Sequence, residues 1–506
     1  MPKKNSMFYS ALLLTGSNLA LRMVSMGFQV YLSGQLGAAG VGLLQLTMSV
    51  ATLVMTAAMA GIRTTAMYLT AEEIGKGRRG VDRVLSACFC YSFLCSLAVA
   101  LAVYGFAPMI AEQWIGDVRT AAALRIFAAF LPVVCLGGVM TGYFTAAQRI
   151  RELVAVEVLE QLTSMTITVA LLARWAQGEP GRALCAVVGG SSAASLVTLI
   201  SLMLLRRRDP ASPKSTGPVA SRLLRVAVPL ALADNLRMGI STVENLIVPR
   251  RLAHYPGSEP LADYGQVCGM VFPAMMFPAA ILFSLAELLI PELSQCAAGE
   301  RTRRIRYLTS RSLRVALLYG LAAGGMIFTA AIPLGQLLYH SARVGELLRR
   351  FSLLVPMLYL DAVTDATVKG MGQQVACVRY NTLTSFLDVA FLWILLPRFG
   401  LEGYFASFLI THALNFFLSI RRLIKVTGVR PELPHALRAL GAWGMALWVC
   451  SLLPGSQGLG GVLFLGGSFL VVFGLISNLM GVWGAEDLHW LRGLIHPVDK
   501  NAPAAL

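Results

Sequence analysis

The chain has 506 residues, of which 56% are hydrophobic and only 13% charged, with a mean hydropathy of +0.68. That composition excludes a soluble enzyme of this length. The formal charge of +16 invites a nucleic-acid-binding reading, which the placement of the charges along the chain rejects.

Apolar runs long enough to cross a bilayer, about 20 residues each, recur from end to end. Fourteen spans are predicted, at 7–33, 40–62, 84–106, 122–146, 153–173, 183–205, 223–249, 265–290, 313–335, 351–371, 380–397, 402–420, 436–454 and 458–480. Hydrocarbon offers no water to unpaired backbone groups, so these runs must be helical; barrel strands would alternate in polarity instead. The expected fold is an all-α polytopic membrane protein. Lys3 and Lys4 before the first run raise the question of a signal peptide. The run is too long for one, carries Arg22 and shows no small-residue cleavage site, so a retained helix is expected.

Between the second and third spans, residues 63–83 contain TAEEIGKGRRG, where Thr70 and Glu73 have the spacing to cap a short surface helix. The most polar interruption, RRRDPASPKSTGPVASR at 206–222, reads as a cytoplasmic linker. The organisation expected is an N-lobe at 1–205 with spans one to six and the basic linker at 206–222. A C-lobe at 223–425 with spans seven to twelve follows, then 426–506 with the last two spans and a cytoplasmic tail. Pro229, Pro249, Pro273, Pro278 and Pro291 concentrate in spans seven and eight, where each removes a backbone bond and favours a kink. No loop is long enough for a folded catalytic domain.

With the N-terminus inside, 30 of the 42 basic residues fall in cytoplasmic segments, ten fall outside, and Arg22 and Arg237 lie within spans. This positive-inside asymmetry places both termini in the cytoplasm. The exception is Arg343, Arg349 and Arg350, which the topology leaves outside; a miscounted helix near 313–371 is the first explanation to test. The nine cysteines are scattered, mostly within spans, and show neither metal-ligand spacing nor a disulfide framework.

Arg22 and Arg237 each lie about 15 residues into an apolar run, and both are preceded by Leu and followed by Met. A cation at such depth costs about 2.5–3.5 kcal/mol on insertion scales, so it is expected to face a cavity or a partner. Asn18, Arg22, Ser25 and Gln29 share one face of the first helix. Asp234, Arg237, Ser241 and Glu244 share one face of the seventh, flanked by Asn235 and Asn245. Two readings stay open for the second stripe: it lines a central cavity, or Asp234 and Arg237 form an i,i+3 pair that neutralises itself. Arg63 either guards the cytoplasmic mouth of the cavity or anchors the helix end. On the tenth span, Asp365 and Lys369 have the spacing of a local ion pair, and Asp361 is a candidate cation or proton site with Asp234 and Glu244. Glu157, Glu160, Glu287 and Asp388 are further intramembrane carboxylates without an assignable partner, and His412 and Asn415 read as interhelical hydrogen-bond partners. There is no phosphate-binding GxxxxGK[ST] loop, no HExxH or Cys/His ligand cluster, and no nucleophile elbow. No cofactor, metal site or enzymatic activity is expected.

Several segments resemble the MOP (multidrug/oligosaccharidyl-lipid/polysaccharide) exporter superfamily, and within it the stage V sporulation protein B branch. They are Arg22 with LGAAGVGLLQL at 36–46, AGI at 60–62 leading to TAEE, GYFTAAQ at 142–148, Glu160–Gln161, and YGQVCGMVFPAMMFPAAILFSLAELLIPELSQ at 264–295. The resemblance implies two six-helix lobes forming a V with an alternating-access cavity, arginines engaging a pyrophosphate, and a groove at the last two helices for a polyprenyl tail. The chain departs from that branch at Arg63, where Pro is usual, and at Met67–Tyr68, where Ser-Lys is usual. It departs again at Thr141 and Ser164, where Arg is expected.

The function expected is a bacterial plasma-membrane flippase moving a polyprenyl-pyrophosphate-linked saccharide from inner to outer leaflet. Arg22, Arg237, Asn18, Gln29, Asn235 and Arg63 would contact the head group. Such a protein would interact with its lipid-linked substrate and with membrane lipids, not with nucleic acid; cell-wall synthesis proteins are candidate partners. The alternatives are a cation-coupled multidrug exporter of the same superfamily, a membrane glycosyltransferase or polymerase, and a non-transporting assembly factor.

Overall fold

The computed structural model describes residues 4–75, 80–176, 179–207, 219–429, 432–455 and 457–482, with side chains from Ala20 onward except at 288. Asn18's side chain, Lys3, Lys76, Arg78, Arg79, most of the 206–222 linker and the tail beyond 482 lie outside the described residues. Every regular element among the described residues is a helix.

The chain runs through α1 (Lys4–Met59), α2 (Ile62–Gly75), α3 (Val81–Met109), α4 (Thr120–Ala146), α5 (Ile150–Leu171), α6 (Pro180–Arg206) and α7 (Val219–Leu252). It continues through α8 (Pro260–Tyr264), a π turn at Gly265–Val271, α9 (Phe272–Met276) and α10 (Ala279–Ala298). Then come α11 (Thr302–Tyr339), α12 (Ala342–Ser352), α13 (Val355–Gly370), α14 (Gln374–Thr427), α15 (Leu433–Ser451) and α16 (Gly458–Leu479). Nine described helices are long and apolar enough to cross a membrane, or ten if α12 and α13, bent by 52°, are taken as one span. α1 and α14 contain 56 and 54 residues, each well over twice the roughly 20 a bilayer needs. Both are interrupted by a glycine in a conformation that L residues avoid: Gly37 (φ 67°, ψ 174°) and Gly400 (φ 56°, ψ −133°).

Contacts divide the chain into two compact units. The first holds Met1–Pro273 and Thr382–Thr411; the second holds Ala274–Asn381 and His412–Leu506.

In the first unit, backbones approach at glycines, the device membrane helices use where hydrophobicity gives no drive to associate. A Cβ built on Gly42 would lie 2.0 Å from the Leu261 carbonyl oxygen, and one on Gly265 would lie 2.1 Å from that of Ala38. The α2 segment corrects the expectation of a short helix capped at Thr70. The helix begins at Ile62, so Thr70 is interior, and Thr70 and Glu73 are both buried. Glu73 is instead held by Arg222 at the start of α7, whose guanidinium donates to Glu73 at 3.0 Å and to Glu72 at 2.7 Å. Continuous helicity from Ile62 turns that face inward, and the buried carboxylate finds its counter-ion 149 residues away.

In the second unit, α11 is the central element, packed by α12, α13, α15 and α16. α12 accounts for the three outside arginines. Residues 342–352 form an amphipathic helix that buries Val344, Leu347, Leu348 and Phe351 and exposes Arg349 and Arg350. Ser341 caps it by accepting from the Val344 N–H at 3.3 Å. Its closeness to α11 rests on Gly335 and Gly345, where a Cβ on the former would meet the latter's nitrogen at 2.4 Å. The arginines therefore belong to a short amphipathic helix that the fourteen predicted spans did not include.

The prolines act unequally. α7 continues through Pro229 and Pro249, whereas the helix predicted over 265–290 is broken between the π turn and α10. Carbonyls near the break are met by side chains: Gln29 donates to Gly269 at 3.1 Å, Tyr359 to Met275 at 2.8 Å and Tyr319 to Pro278 at 2.8 Å. Irregular backbone at membrane depth survives only with such replacements.

The glycine approaches give a direct test. Gly265→Val drives a branched side chain into the α1 backbone and should destabilise by about 1–3 kcal/mol, as overpacking does. A lowered melting temperature and reduced membrane level are expected. Gly105→Val, with open space around its α-carbon, should leave both unchanged; equal behaviour of the two variants would refute the close packing.

Candidate translocation site

The polar stripe of the first helix has two different environments. Arg22 is exposed and has a polar or ring partner within the described structure, so it is not sealed in a dry pocket. Ser25, on the same stripe, faces a hollow of about 380 Å³ with Leu21, Glu157, Glu160, Gln161, Ser164 and Ser191. Gln29 is occupied by its bond to the Gly269 carbonyl.

A second hollow of about 240 Å³ shares Glu157 and Glu160 with the first and adds Arg63, Thr141, Ser195 and Thr198. Thr198 is buried and its hydroxyl has no hydrogen-bond partner. The carboxylates that had no partner in the sequence thus gather with Arg63 inside the first unit. Three of the positions that depart from the resembled branch, Arg63, Thr141 and Ser164, line these same two hollows. The chain carries a cation at Arg63, where that resemblance would put Pro, and hydroxyls at Thr141 and Ser164, where it would put arginine.

On α7, Asp234 and Arg237 are both exposed and form no ion pair, which removes the self-neutralising alternative. Asn235 donates to its own helix at the Ala231 carbonyl, 2.7 Å away. Further along, Asn245 donates to Ser49 at 3.1 Å and accepts from the Tyr264 hydroxyl at 3.1 Å.

Glu244 neighbours Asp388 on α14 closely enough for their charges to interact, a meeting that sequence spacing could not reveal. Asp388 is 6% exposed and accepts from Ser407 at 2.6 Å and Thr411 at 3.1 Å. Like charges so placed repel, which a proton or a cation would relieve. The α14 break at Gly400 folds the segment bearing Ser407 and Thr411 back beside Asp388.

In the second unit, Asp361 accepts from Asn415 at 3.0 Å, leaving Asp361 Oδ1 and Asn415 Oδ1 buried without partners. Asp365 accepts from Ser419 at 3.0 Å and lies 3.7 Å from Lys369, the local pair its spacing announces. Asp361 and Glu244 belong to different units and are described as separate sites. Glu287 is exposed on α10.

The second unit also has an apolar groove of about 410 Å³. Leu313 and Leu317 of α11, Leu360 of α13, Phe416 and Ile420 of α14 and Leu440 of α15 line it. Its polar end is closed by Arg314, which donates to Glu432 at 2.5 Å. Burial pushes the Glu432 carboxyl up, but the bonds from Arg314 and Ser310 outweigh this and hold it below the usual range. α16 contributes nothing to the groove. No group of three or more His, Cys, Asp or Glu suited to a metal occurs among the described residues.

Residues 9–248 match the family described as polysaccharide biosynthesis protein. Stage V sporulation protein B of Bacillus subtilis (strain 168) is 21% identical over 415 residues, covering 79% of this chain and 80% of that protein. Among solved structures, a lipid II flippase MurJ in an inward closed conformation superposes with a TM-score of 0.71 at 12% identity. It covers 96% of this chain and 100% of the other. An inward-facing multidrug resistance MATE family transporter of the MOP superfamily gives 0.65 at 13% identity, over 85% and 99%. The chain is a polytopic membrane protein whose fold is that of the solved MurJ and MATE structures. Its first half is similar to the polysaccharide biosynthesis protein family, and most of its length is similar to stage V sporulation protein B.

Proposed function

We propose that the protein is a flippase for a polyprenyl-pyrophosphate-linked saccharide, moved from the inner to the outer leaflet of the bacterial plasma membrane. The observation that carries this reading is the pair of accessible, deep arginines, Arg22 and Arg237, the second of them not paired with Asp234 three residues before it. A guanidinium keeps its charge and can grip phosphate oxygens two at a time. Asn18, Asn235, Gln29 and Arg63 would complete the head-group surface, although Gln29 and Asn235 must exchange bonds with backbone carbonyls to do so. The hydroxyl-rich hollows around Glu157 and Glu160 suit a sugar, and the apolar groove beside α15 suits a polyprenyl chain.

In this reading, residues 1–205 rock against 223–425, across fourteen membrane crossings with both termini in the cytoplasm. The head group enters from the cytoplasmic leaflet while the tail stays in lipid. An inside-negative potential favours export of an anion by about 2.3 kcal/mol per charge per 100 mV, or roughly 4–5 kcal/mol for two charges. Glu244 with Asp388 is the site favoured for a coupling cation or proton; Asp361 with Asn415, and Asp234, are the other candidates.

The buried carboxylates also favour a second reading, a cation-coupled drug exporter. Cationic-dye efflux that is lost on deleting the protein, with normal precursor distribution, would select it.

Replacing Arg22 or Arg237 by Ala should reduce translocation of the lipid-linked precursor at least tenfold at normal membrane levels. Depletion of the protein should pool the precursor in the inner leaflet. Normal distribution of every lipid-linked precursor across both leaflets would overturn the flippase reading. Separately, Glu244→Gln and Asp388→Asn should slow transport and make the residual rate indifferent to collapse of the sodium or proton gradient. A wild-type response to that collapse in both variants would remove these carboxylates from the coupling.

A further inference from the structure

A pocket of about 380 Å³ opens in the second unit where α11, α12, α15 and α16 meet. It lies at the end of α11 opposite the basic Arg301–Arg314 segment, hence on the outer side by the charge asymmetry that sets the topology. Two chemistries divide its wall. Phe328, Ile332, Leu447 and Leu465 form an apolar side, while Arg349, Gln336 and Gln457 supply N–H donors.

Among the described residues, no carboxylate lines the pocket. Arg349 is held 4.7 Å above the Phe328 ring and makes no ion pair among the described residues, even with Glu346 one turn away on α12. α12 is fixed by its glycine contact with α11, so Arg349 is presented by a packed helix rather than a loop. Three arginines against one glutamate on an outer segment oppose the positive-inside tendency, and neither transport of the head group nor packing of α12 uses Arg349.

We propose that this pocket binds the phosphate of an anionic lipid in the outer leaflet, with Arg349 as principal contact and Gln336 and Gln457 as flanking donors. The lipid chain lies along Phe328, Leu447 and Leu465. The planar guanidinium and two amides match phosphate oxygens, and the apolar wall excludes a free, fully hydrated anion as the preferred ligand. Such a lipid is either a bulk anionic phospholipid or the polyprenyl diphosphate carrier itself. The site rests on the outward placement of α12 and not on the transport reading, so the two can fail independently.

The test is lipid retention by the purified full chain in mild detergent, read by native mass spectrometry. Dioleoylphosphatidylglycerol, dioleoylphosphatidylcholine and a polyprenyl diphosphate are offered in separate arms. The wild type should retain one anionic lipid in preference to phosphatidylcholine. Arg349→Gln should lower that retention about tenfold, and Arg349→Lys should lower it less. The double variant Gln336→Leu with Gln457→Leu should lower it several-fold, and it decides the matter if Arg349→Gln does not fold. Arg182→Gln, altering an arginine of the first unit already paired with Glu179, should leave it unchanged. Arg349-dependent retention of phosphatidylglycerol supports the site with bulk phospholipid as its ligand. Retention of the polyprenyl diphosphate alone supports it with the carrier as ligand. Equal retention of phosphatidylglycerol and phosphatidylcholine, or retention unaltered by the glutamine and leucine variants, overturns it.

Discussion

The penalty for a charge among hydrocarbon organises this molecule. Each ionisable group at membrane depth must be paired, hydrogen-bonded, opened to water or protonated, and the structure uses these solutions at different places. Glu73 is buried and paired with Arg222; Asp388 is buried and held by two hydroxyls; Arg22 and Arg237 remain accessible. Groups on one helix need not meet that penalty by pairing with each other. Asp234 and Arg237 make the point most sharply. They sit at the spacing of a helical ion pair, and yet each side chain is turned to its surroundings instead.

The fold was legible where one property repeats over a long stretch. Twenty apolar residues in succession dictate a helix, and short polar gaps around Gly37 and Gly400 mark where α1 and α14 change direction. Segments whose character depends on a partner were less readable. Thr70 and Glu73 have the letters of a helix cap, but Arg222, far along the chain, turns them into buried interior. Residues 342–352 carry a helical period, though it is only three turns long and is diluted by four charges. Without α11 as its platform, that segment read as a loop with misplaced arginines.

The candidate site divides in the same way. The stripes on the first and seventh helices follow from i, i+3 and i+4 spacing alone. The meeting of Glu244 with Asp388, and of Arg63 with Glu157 and Glu160, needs tertiary structure, because residues remote in sequence share no period. One weak signal existed. Each of those carboxylates is costly in a span, so an unexplained one already implied a partner elsewhere. The positions departing from the resembled branch carried a second signal, recognisable only when Arg63, Thr141 and Ser164 proved to line two hollows with common walls.

Backbone satisfaction sets the remaining constraint. The segment between Gly265 and Ala279 forgoes regular helical bonding through a π turn and two prolines, and it lies where the chain passes from the first unit to the second. Carbonyls on its two sides are met by residues of their own unit: Gln29 on one side, Tyr319 and Tyr359 on the other. Backbone rotation between these anchors sacrifices few helical bonds, because regular bonding is already interrupted there. A continuous helix would have to break buried bonds of about 4–6 kcal/mol each in an apolar medium to bend as far. The same argument explains why Gln29 is expensive to recruit for a ligand. Its amide can leave Gly269 only if that carbonyl finds another donor, because the π turn supplies no regular helical bond in its place.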